Sequence, residues 1–196
     1  MKPVEFRIDD GTVLRARPVT SADRERLAEG YRRLSEEARY HRFWTTAGEL
    51  GSGMLARLTN ADQKDHAVWG ASDPAHPELP GVGAASYWRS KLDAEEAEFA
   101  VTVADDFRGR GLGTALLALM WRVGQRHGLT RMIANVMPEN RRAIDWLRRC
   151  GAAAEWDGYK VILRWDLVEP GELPESRRSR ILAGHLREFS GLLDLP

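Results

Sequence analysis

A glycine-rich turn between a strand and a helix is the feature that most limits how this chain can fold. The segment Arg108–Gly113, RGRGLG, follows an alternating strand at 97–103 and precedes a strongly apolar helix over about 112–127. Glycine lets the backbone turn tightly and point successive N–H groups into one concavity. The positive end of the helix dipole lies at the same place, so the segment predicts a phosphate or pyrophosphate site. The side chains of Arg108 and Arg110 can add charge to it.

Two common phosphate-binding motifs do not fit this turn. A P-loop needs Gly-Lys-Ser/Thr after four intervening residues, whereas Gly113 is followed directly by Thr114 and no lysine is near. A dinucleotide-binding fingerprint needs G-x-G-x-x-G, and the glycines here are spaced G-x-G-x-G. An ordinary glycine turn without a ligand remains the alternative for this segment taken alone.

Hydropathy patterning along the rest of the chain predicts a mixed α/β domain. Predicted strands lie at 4–8, 14–16, 66–71, 82–88, 97–103, 132–136, 152–156 and 161–167, and predicted helices begin after Thr20 or Ser21, near Ser35, at Leu112 and at Glu139. A short apolar run, Met54–Leu58, follows a cluster of glycines. This order of hairpins and crossovers predicts an α/β or α+β sandwich with helices on both faces of a mixed sheet.

After Pro170 and Pro174 the chain resumes with an amphipathic helix over Ser176–Leu195. Its apolar residues at helical spacing are Leu182, Leu186, Phe189 and Leu193. We therefore expect a main domain at 1–170 and a helical extension at 171–196. The extension should dock on its own domain or on a second copy of the chain, which leaves a homodimer open. A membrane surface is disfavoured because the basic residues of the helix are matched by acidic ones.

Charge and composition exclude several classes of function. The 196 residues include 29 Lys and Arg against 29 Asp and Glu, and this zero net charge removes the electrostatic argument for a nucleic-acid partner. No run approaches the about 18 apolar residues of a membrane span, and residues 1–10 lack the apolar core of a secretory signal. The single cysteine, Cys150, fits a reducing compartment, so we expect a cytoplasmic protein. The five histidines show neither H-x-H nor H-E-x-x-H spacing, and no metal is expected.

Two motifs of the chain resemble those of a known family. Arg108-x-x-Gly111-x-Gly113, between a strand and an apolar helix, resembles the acetyl-CoA-binding motif of the GNAT N-acetyltransferases. Asn140-Arg141-Arg142-Ala143, in a helix that stops at Gly151, resembles the N-x-x-A helix of that family. The element order agrees from about residue 12 to residue 167. The resemblance implies the GNAT fold, a mixed and mostly antiparallel sheet with helices on both faces, and acetyl-CoA as the cosubstrate.

The resemblance also implies how the cosubstrate binds. The pantetheine arm would pair with the main chain of Val101 and Val103 like an added strand, and the same main chain would polarise the thioester carbonyl. The pyrophosphate would lie on backbone N–H groups of 108–114, and Asn140 would reach the cofactor from the following helix. The cofactor-binding residues implied are Val101, Thr102, Val103, Arg108, Gly109, Arg110, Gly111, Leu112, Gly113, Thr114 and Asn140.

An amine nucleophile must lose a proton before it attacks, because an alkylammonium is almost fully protonated at neutral pH. Glu98 is the candidate general base, since it lies on the strand that would hold the thioester. Alternation places it on the polar face of that strand, opposite Phe99. The alternative is a solvated acid near a strand end, which is how Glu95 and Glu96 are interpreted.

The sequence departs from the family where a general acid would be expected. Many members place a tyrosine four residues after the motif alanine, and this chain has Leu147 there. The phenylalanine that often follows the terminal glycine is Ala152 here. A tyrosine acid is therefore not expected, and either water or no acid serves, because a thiolate is a fair leaving group near neutral pH.

The N-terminal half narrows the resemblance to bacterial protein-lysine acetyltransferases. The similar segments are LRARPVTSADRERLAEGYRRLSEEARYHRFW, LARLTNADQKDH and AEFAVTV. The implied acceptor is a lysine side chain on a protein. A small-molecule amine as acceptor and a non-catalytic acyl-CoA-binding sensor remain the alternatives. The chain is too short for the regulatory domain that many of these enzymes carry.

Overall fold

The alternating apolar segments of the sequence form one eight-stranded sheet. The computed structural model describes residues 2–192. Its strands are β1 (Val4–Arg7), β2 (Val13–Pro18), β3 (His66–Ser72), β4 (Gly83–Arg89), β5 (Glu96–Val103), β6 (Arg131–Val136), β7 (Ala153–Trp156) and β8 (Val161–Asp166). They lie in the order β1-β2-β3-β4-β5-β6-β8-β7, and every neighbouring pair is antiparallel except β5 and β6. The predicted mixed, mostly antiparallel sheet is confirmed.

Helices connect these strands at the predicted places, with one addition. They are α1 (Arg24–Arg32), α2 (Glu36–Phe43), α3 (Ser52–Thr59), α4 (Leu112–Arg126), α5 (Arg141–Arg149) and α6 (Arg177–Glu188). The addition is α3, where the sequence predicts only a short apolar run. Leu58 of this helix packs into a cluster with Val19 and Val68. Tertiary packing therefore stabilises a helix that its glycine-rich start does not favour.

The helices cover both faces of the sheet, as predicted. On one face α4 packs against β3, β4 and β5, and its side chains are buried along most of its length. The main core forms there and includes Trp69, Tyr87 and Phe99 from these strands. On the other face, α1 to α3 pack through two smaller clusters, one of which contains Tyr31 and Leu34.

The parallel pair at the centre of the sheet is short, and this opens the sheet. β5 and β6 pair only from Glu96 opposite Arg131 to Glu98 opposite Ile133. Beyond that point β5 continues along β4 as far as Val103, while β6 continues along β8. The two central strands therefore separate, and a gap opens between them.

The C-terminal helix docks on the body of its own chain. α6 packs against α4, and Leu182 and Leu186 are fully buried in the main core. Nε of Arg122 donates a hydrogen bond to the carbonyl of Leu186 at 2.9 Å, which joins the two helices. Residues 193–195 of the predicted helix lie outside the described residues. Within residues 2–192 no helix is long and apolar enough to cross a membrane.

A bidentate ion pair fixes the start of α1 against the sheet. The Asp23 carboxylate accepts from Arg17 at 2.5 and 2.8 Å and from the Thr20 N–H at 2.9 Å, as the predicted cap at Thr20 requires. These hydrogen bonds favour the ionised acid, and the pKa of Asp23 falls from 3.8 to about 2. Because the folded-state pKa is lowered, the stabilisation is present above about pH 4 and is lost as the pH falls toward 2.

Replacing Asp23 by Asn should therefore destabilise the protein in a pH-dependent way. We expect Asp23→Asn to lower the free energy of unfolding by about 1–2 kcal/mol at pH 7, with the difference from wild type shrinking below pH 4. Glu5→Gln is the control, because the Glu5–Arg15 pair is more than half exposed and should contribute little. Urea denaturation at pH 7, 5, 4 and 3 measures both. An equal, pH-independent loss in the two variants would contradict the assignment.

Candidate active site

The edge of β5 that faces the gap carries main-chain groups without a neighbouring strand. At the two ends of β5, Glu96 O accepts from Ser90 N at 2.8 Å and Ala104 N donates to Val82 O at 2.9 Å. The register with β4 is unbroken between them, so the even-numbered residues of β5 direct their main chain toward β4. The odd-numbered residues, Val101 and Val103 among them, direct theirs toward the gap.

A cavity of about 380 Å³ lies beside this edge. β5, the glycine-rich turn, the start of α5 and one side of α2 line it. The sequence-predicted residues among its lining are Val101, Thr102, Val103, Arg108, Gly109, Gly111, Gly113, Thr114 and Asn140. The structure thus brings together residues that are up to 39 positions apart in the chain.

The glycines of the turn are required for three separate reasons. Gly109 and Gly111 have φ angles of 77° and 93°, which favour glycine. A Cβ on Gly111 would also lie 2.5 Å from Oδ1 of Asp9. A Cβ on Gly113 would lie 3.3 Å from the ring of Trp146, whose Nε1 donates to Thr114 Oγ1 at 3.1 Å. The turn therefore approaches both the N-terminal hairpin and α5 closely.

Two predicted residues of the turn do not line the cavity. The Arg110 guanidinium pairs with Asp10 at 2.5 Å, donates to Thr12 Oγ1 at 2.9 Å and stacks on the Phe107 ring at 4.4 Å. The expected side-chain charge of Arg110 is therefore directed to the N-terminal hairpin. Leu112 is fully buried under the turn. Its N–H is among the first of α4, where amides lack an acceptor within the helix.

Four other arginines line the cavity, Arg42 of α2 and three near the turn. Arg108 pairs with Asp105 at 2.8 Å, and the guanidinium of Arg142 extends over Gly109. Arg178 comes from α6, and its Nη1 lies 3.3 Å from Asp9 Oδ2. Sequence patterning did not reveal Arg178, because its position depends on how α6 docks. The lining is strongly cationic where the turn meets the helix start.

Glu98 stands where β5 and β6 separate. It is the last residue of β5 that pairs with β6, and it is exposed on the face opposite the buried Phe99. Burial lowers the pKa of Arg42 in α2, and the negative charge of Glu98 opposes this shift. Glu98 itself does not line the 380 Å³ cavity. It stands instead at the base of the gap, on the face that α2 covers.

Comparison with known proteins decides the family. Residues 14–153 match the model of the acetyltransferase (GNAT) domain. The chain belongs to the GNAT acetyltransferases. It is 31% identical over 161 residues to the acetyltransferase Pat of Mycolicibacterium smegmatis, which covers 82% of this chain and 47% of Pat. It is 30% identical over 150 residues to the acetyltransferase PA5475 of Pseudomonas aeruginosa, which covers 76% of this chain and 80% of that protein.

A solved GNAT structure shows the same fold. The GNAT domain of S. lividans PAT aligns with a TM-score of 0.78 and 28% identity, over 84% of this chain and 96% of that domain. The chain spans about half the length of its curated relative Pat from M. smegmatis. The predicted membership of the GNAT family, and the predicted likeness to bacterial protein acetyltransferases, are confirmed.

Neither the position of the family tyrosine nor the cysteine offers a group for acid or nucleophilic catalysis. Leu147, at the position of the family tyrosine, is buried, and no tyrosine within residues 2–192 lines the cavity. Cys150 is buried, and burial raises the pKa of its thiol to about 12. A thiolate nucleophile at this position is therefore excluded near neutral pH.

Asn140 serves first as a helix cap. Its Oδ1 accepts from Ala143 N at 3.1 Å at the start of α5, while the residue also lines the cavity. The amide oxygen is therefore engaged, and the amide NH₂ is the donor that can face a ligand. Within residues 2–192 no group of three or more His, Cys, Asp or Glu side chains could hold a metal ion.

Substitution of Gly111 should disturb the turn more than its φ angle alone explains. Gly111→Ala introduces the strain of a positive φ and also forces a Cβ onto Asp9, whereas Gly128→Ala, at φ 79°, meets open space. We expect Gly128→Ala to lower the free energy of unfolding by about 1 kcal/mol and Gly111→Ala by clearly more. We also expect only Gly111→Ala to weaken acetyl-CoA binding, measured by titration calorimetry. Equal losses of stability and unchanged affinity in both variants would contradict the role given to the turn.

Proposed function

We propose that this protein transfers the acetyl group of acetyl-CoA directly to a primary amine, and that the amine is a lysine side chain of a protein. The observation that carries the proposal is the open main-chain edge of β5 beside a cavity that ends at a glycine-rich helix start. An arm with amide groups fits the first feature as an added strand, and a pyrophosphate fits the second. Acetyl-CoA carries both groups in one molecule.

In this proposal the main chain of β5 holds the reacting end of the cosubstrate. The N–H and C=O groups of Val101 and Val103 pair with the amides of the pantetheine arm, and Thr102 lies between them. The same strand edge directs an N–H at the thioester oxygen. Such a donor stabilises the negative charge that develops on this oxygen when the amine attacks.

The other end of acetyl-CoA is held by amides and guanidinium groups. The pyrophosphate lies on the backbone N–H groups of 108–114, and Asn140 lies beside it. Arg108, Arg142 and Arg178 add charge around the same cavity. The extension at 171–196 is then part of the cosubstrate site of the domain at 1–170, because Arg178 belongs to it.

Glu98 acts as the general base in this proposal. It removes a proton from the acceptor ammonium, directly or through a water, and the amine nitrogen attacks the thioester carbon. The C–N bond forms, the C–S bond breaks, and the CoA thiolate leaves and takes a proton from solvent. The position of Glu98 at the base of the gap, on the face that α2 covers, supports this role.

Aromatic residues at the rim of the gap favour a protein lysine over a small amine. The rings of Trp44, after α2, and Tyr159, in the β7–β8 turn, lie 5.6 Å apart. They join the helix that covers β5 to the hairpin that pairs with β6. Both are exposed, and so is Trp156. Asp157, the acid nearest this contact in sequence, accepts hydrogen bonds from its own turn.

These observations suit a long alkyl side chain presented by a protein surface. A small cationic amine would be better served by a closed site lined with carboxylates. The resemblance of the N-terminal half to bacterial protein-lysine acetyltransferases supports the same acceptor. A non-catalytic acyl-CoA sensor would have no need of an acid at the position of Glu98.

Glu98→Gln should separate catalysis from binding. We expect kcat to fall by about 10²–10⁴-fold, because a general base is lost, while acetyl-CoA affinity stays within about twofold. CoA release is measured with purified acyl-CoA synthetases and with a panel of small amines as acceptors. Glu95→Gln is the control, since Glu95 is exposed just before the same strand and accepts a hydrogen bond from Thr130 Oγ1.

Other outcomes of this assay would contradict the proposal in different ways. Unchanged turnover of the Glu98→Gln variant would show that Glu98 is not the general base. Turnover with small amines alone would show that the acceptor is a small amine and not a protein lysine. Tight acetyl-CoA binding by the wild type without turnover on any acceptor makes the protein a sensor.

Arg178→Met should weaken binding of acetyl-CoA without slowing the chemical step. We expect Kd to rise about tenfold at low salt, because one charge-assisted contact to a phosphate is lost, and the effect should shrink at high salt. Arg177→Met is the matched control, since Arg177 is the exposed neighbour and does not line the cavity. Titration calorimetry at two ionic strengths measures both. Equal affinities of the two variants would show that α6 is only a structural support.

A further inference from the structure

A second cavity lies on the face of the sheet that α1, α2 and α3 cover. Its volume is about 310 Å³, and the face of β4 and apolar side chains of the helices form its walls. Arg42 of α2 and Thr102 of β5 line both this cavity and the 380 Å³ cavity. These two residues therefore lie where the cavities meet, and we call the second cavity the helix-side cavity.

Arg42 differs from the other arginines that line the helix-side cavity. Arg15 pairs with Glu5, Arg17 pairs with Asp23, and Arg26 donates to the carbonyls of Leu79 and Pro80. Among residues 2–192, Arg42 donates a hydrogen bond only to the hydroxyl of Ser86, at 3.3 Å, and its guanidinium lies 4.7 Å from the centre of the Phe43 ring. Its Nε is buried and has no hydrogen-bond partner within residues 2–192.

The guanidinium of Arg42 is nevertheless charged at neutral pH. Burial lowers the pKa of Arg42, to about 10, and the charge of Glu98 opposes this shift. The side chain is only partly buried, but a cation whose buried N–H lacks an acceptor is unfavourable unless an anion completes its hydrogen bonds. Because a guanidinium presents a planar fork of donors, a carboxylate is the anion that matches it best.

Arg42 also lies close to the proposed position of the acyl group. Its partner Ser86 is paired with Ala100 in the β4–β5 ladder. Ala100 lies between Glu98 and Thr102 on the same face of β5. An anionic group that a substrate carries next to its reacting carbon or nitrogen would therefore come within reach of this guanidinium.

We propose that Arg42 recognises a carboxylate that a substrate carries into the junction of the two cavities. This inference rests on the position of the thioester in the proposed function. The carboxylate has two possible sources. One is the far end of a dicarboxylic acyl group on CoA, such as succinyl, for which the helix-side cavity offers room. The other is a carboxyl group beside the acceptor amine.

Binding measurements without an acceptor amine test whether the carboxylate belongs to the acyl group of CoA. The wild type should bind succinyl-CoA at least tenfold more tightly than butanoyl-CoA, the four-carbon acyl group without the carboxylate. Arg42→Gln, which removes the charged fork but keeps a polar side chain, should remove this preference while acetyl-CoA affinity changes less than threefold. Arg42→Lys should restore part of it. Titration calorimetry gives the three dissociation constants for each variant.

The acceptor source is tested by turnover with acetyl-CoA. An amine that bears a carboxylate is compared with the same compound as its carboxamide. Arg42→Gln should raise the KM of the acid about tenfold and leave that of the amide unchanged. If the wild type prefers the carboxylate-bearing compound only in this turnover assay, the carboxylate belongs to the acceptor. If it does so only in the binding assay, the carboxylate belongs to the acyl group of CoA.

Arg39→Gln is the matched control in both assays. Arg39 lies one turn before Arg42 on α2, and it lines neither cavity. Its Nε is also buried and has no hydrogen-bond partner in the part of the chain that the structure describes. The proposal is overturned if the wild type discriminates for a carboxylate in neither assay, or if Arg39→Gln and Arg42→Gln behave alike. Acetyl-CoA that binds without turnover would defeat the proposed function and leave the binding assay valid. Thermal denaturation verifies that each variant is folded.

Discussion

The site depends on the point where the hydrogen-bond ladder between β5 and β6 ends. β5 and β6 share three residue pairs and then diverge, which leaves the main-chain groups of β5 facing a gap. Backbone N–H and C=O groups need hydrogen-bond partners, so an unpaired strand edge in the middle of a sheet can bind an extended ligand. The sheet tolerates the opening because each separated strand keeps one full neighbour, β4 for β5 and β8 for β6. The core beneath is not interrupted, since buried side chains of β5, β6 and α4 belong to one hydrophobic cluster.

Charge in this protein acts locally. The chain as a whole is neutral, so no general field draws an anion to it. The cavity beside β5 has its own cations, and two of them are held by acids, Arg108 by Asp105 and Arg178 by Asp9. Acids that hold guanidinium groups in place reduce the entropy lost when a phosphate arrives. Arg42 differs, because no acid within residues 2–192 lies within ion-pair distance of it.

Much of this arrangement was predictable from local patterns. Alternation located the strands and placed Glu98 opposite Phe99, and the spacing of Gly109, Gly111 and Gly113 located the helix start. These features depend on residues close in sequence. The direction of the Arg110 side chain was not predictable, because it depends on Asp10 in a hairpin about a hundred residues earlier. Arg178 and α3 were missed for the same reason, since docking rather than local sequence determines where they lie.

The contact between Asp9 and Arg178 has a consequence for how the cavity is made. Asp9 comes from the first hairpin, touches the glycine turn at Gly111, and meets a side chain that is synthesised 169 residues later. The rim of the cavity is thus a junction of the early and the late parts of the chain. During synthesis on a ribosome, a growing chain that has its sheet and its glycine turn still lacks one side of this rim. Stabilisation by a bound anion, which rises with affinity, therefore reaches its full value only after α6 has emerged and docked.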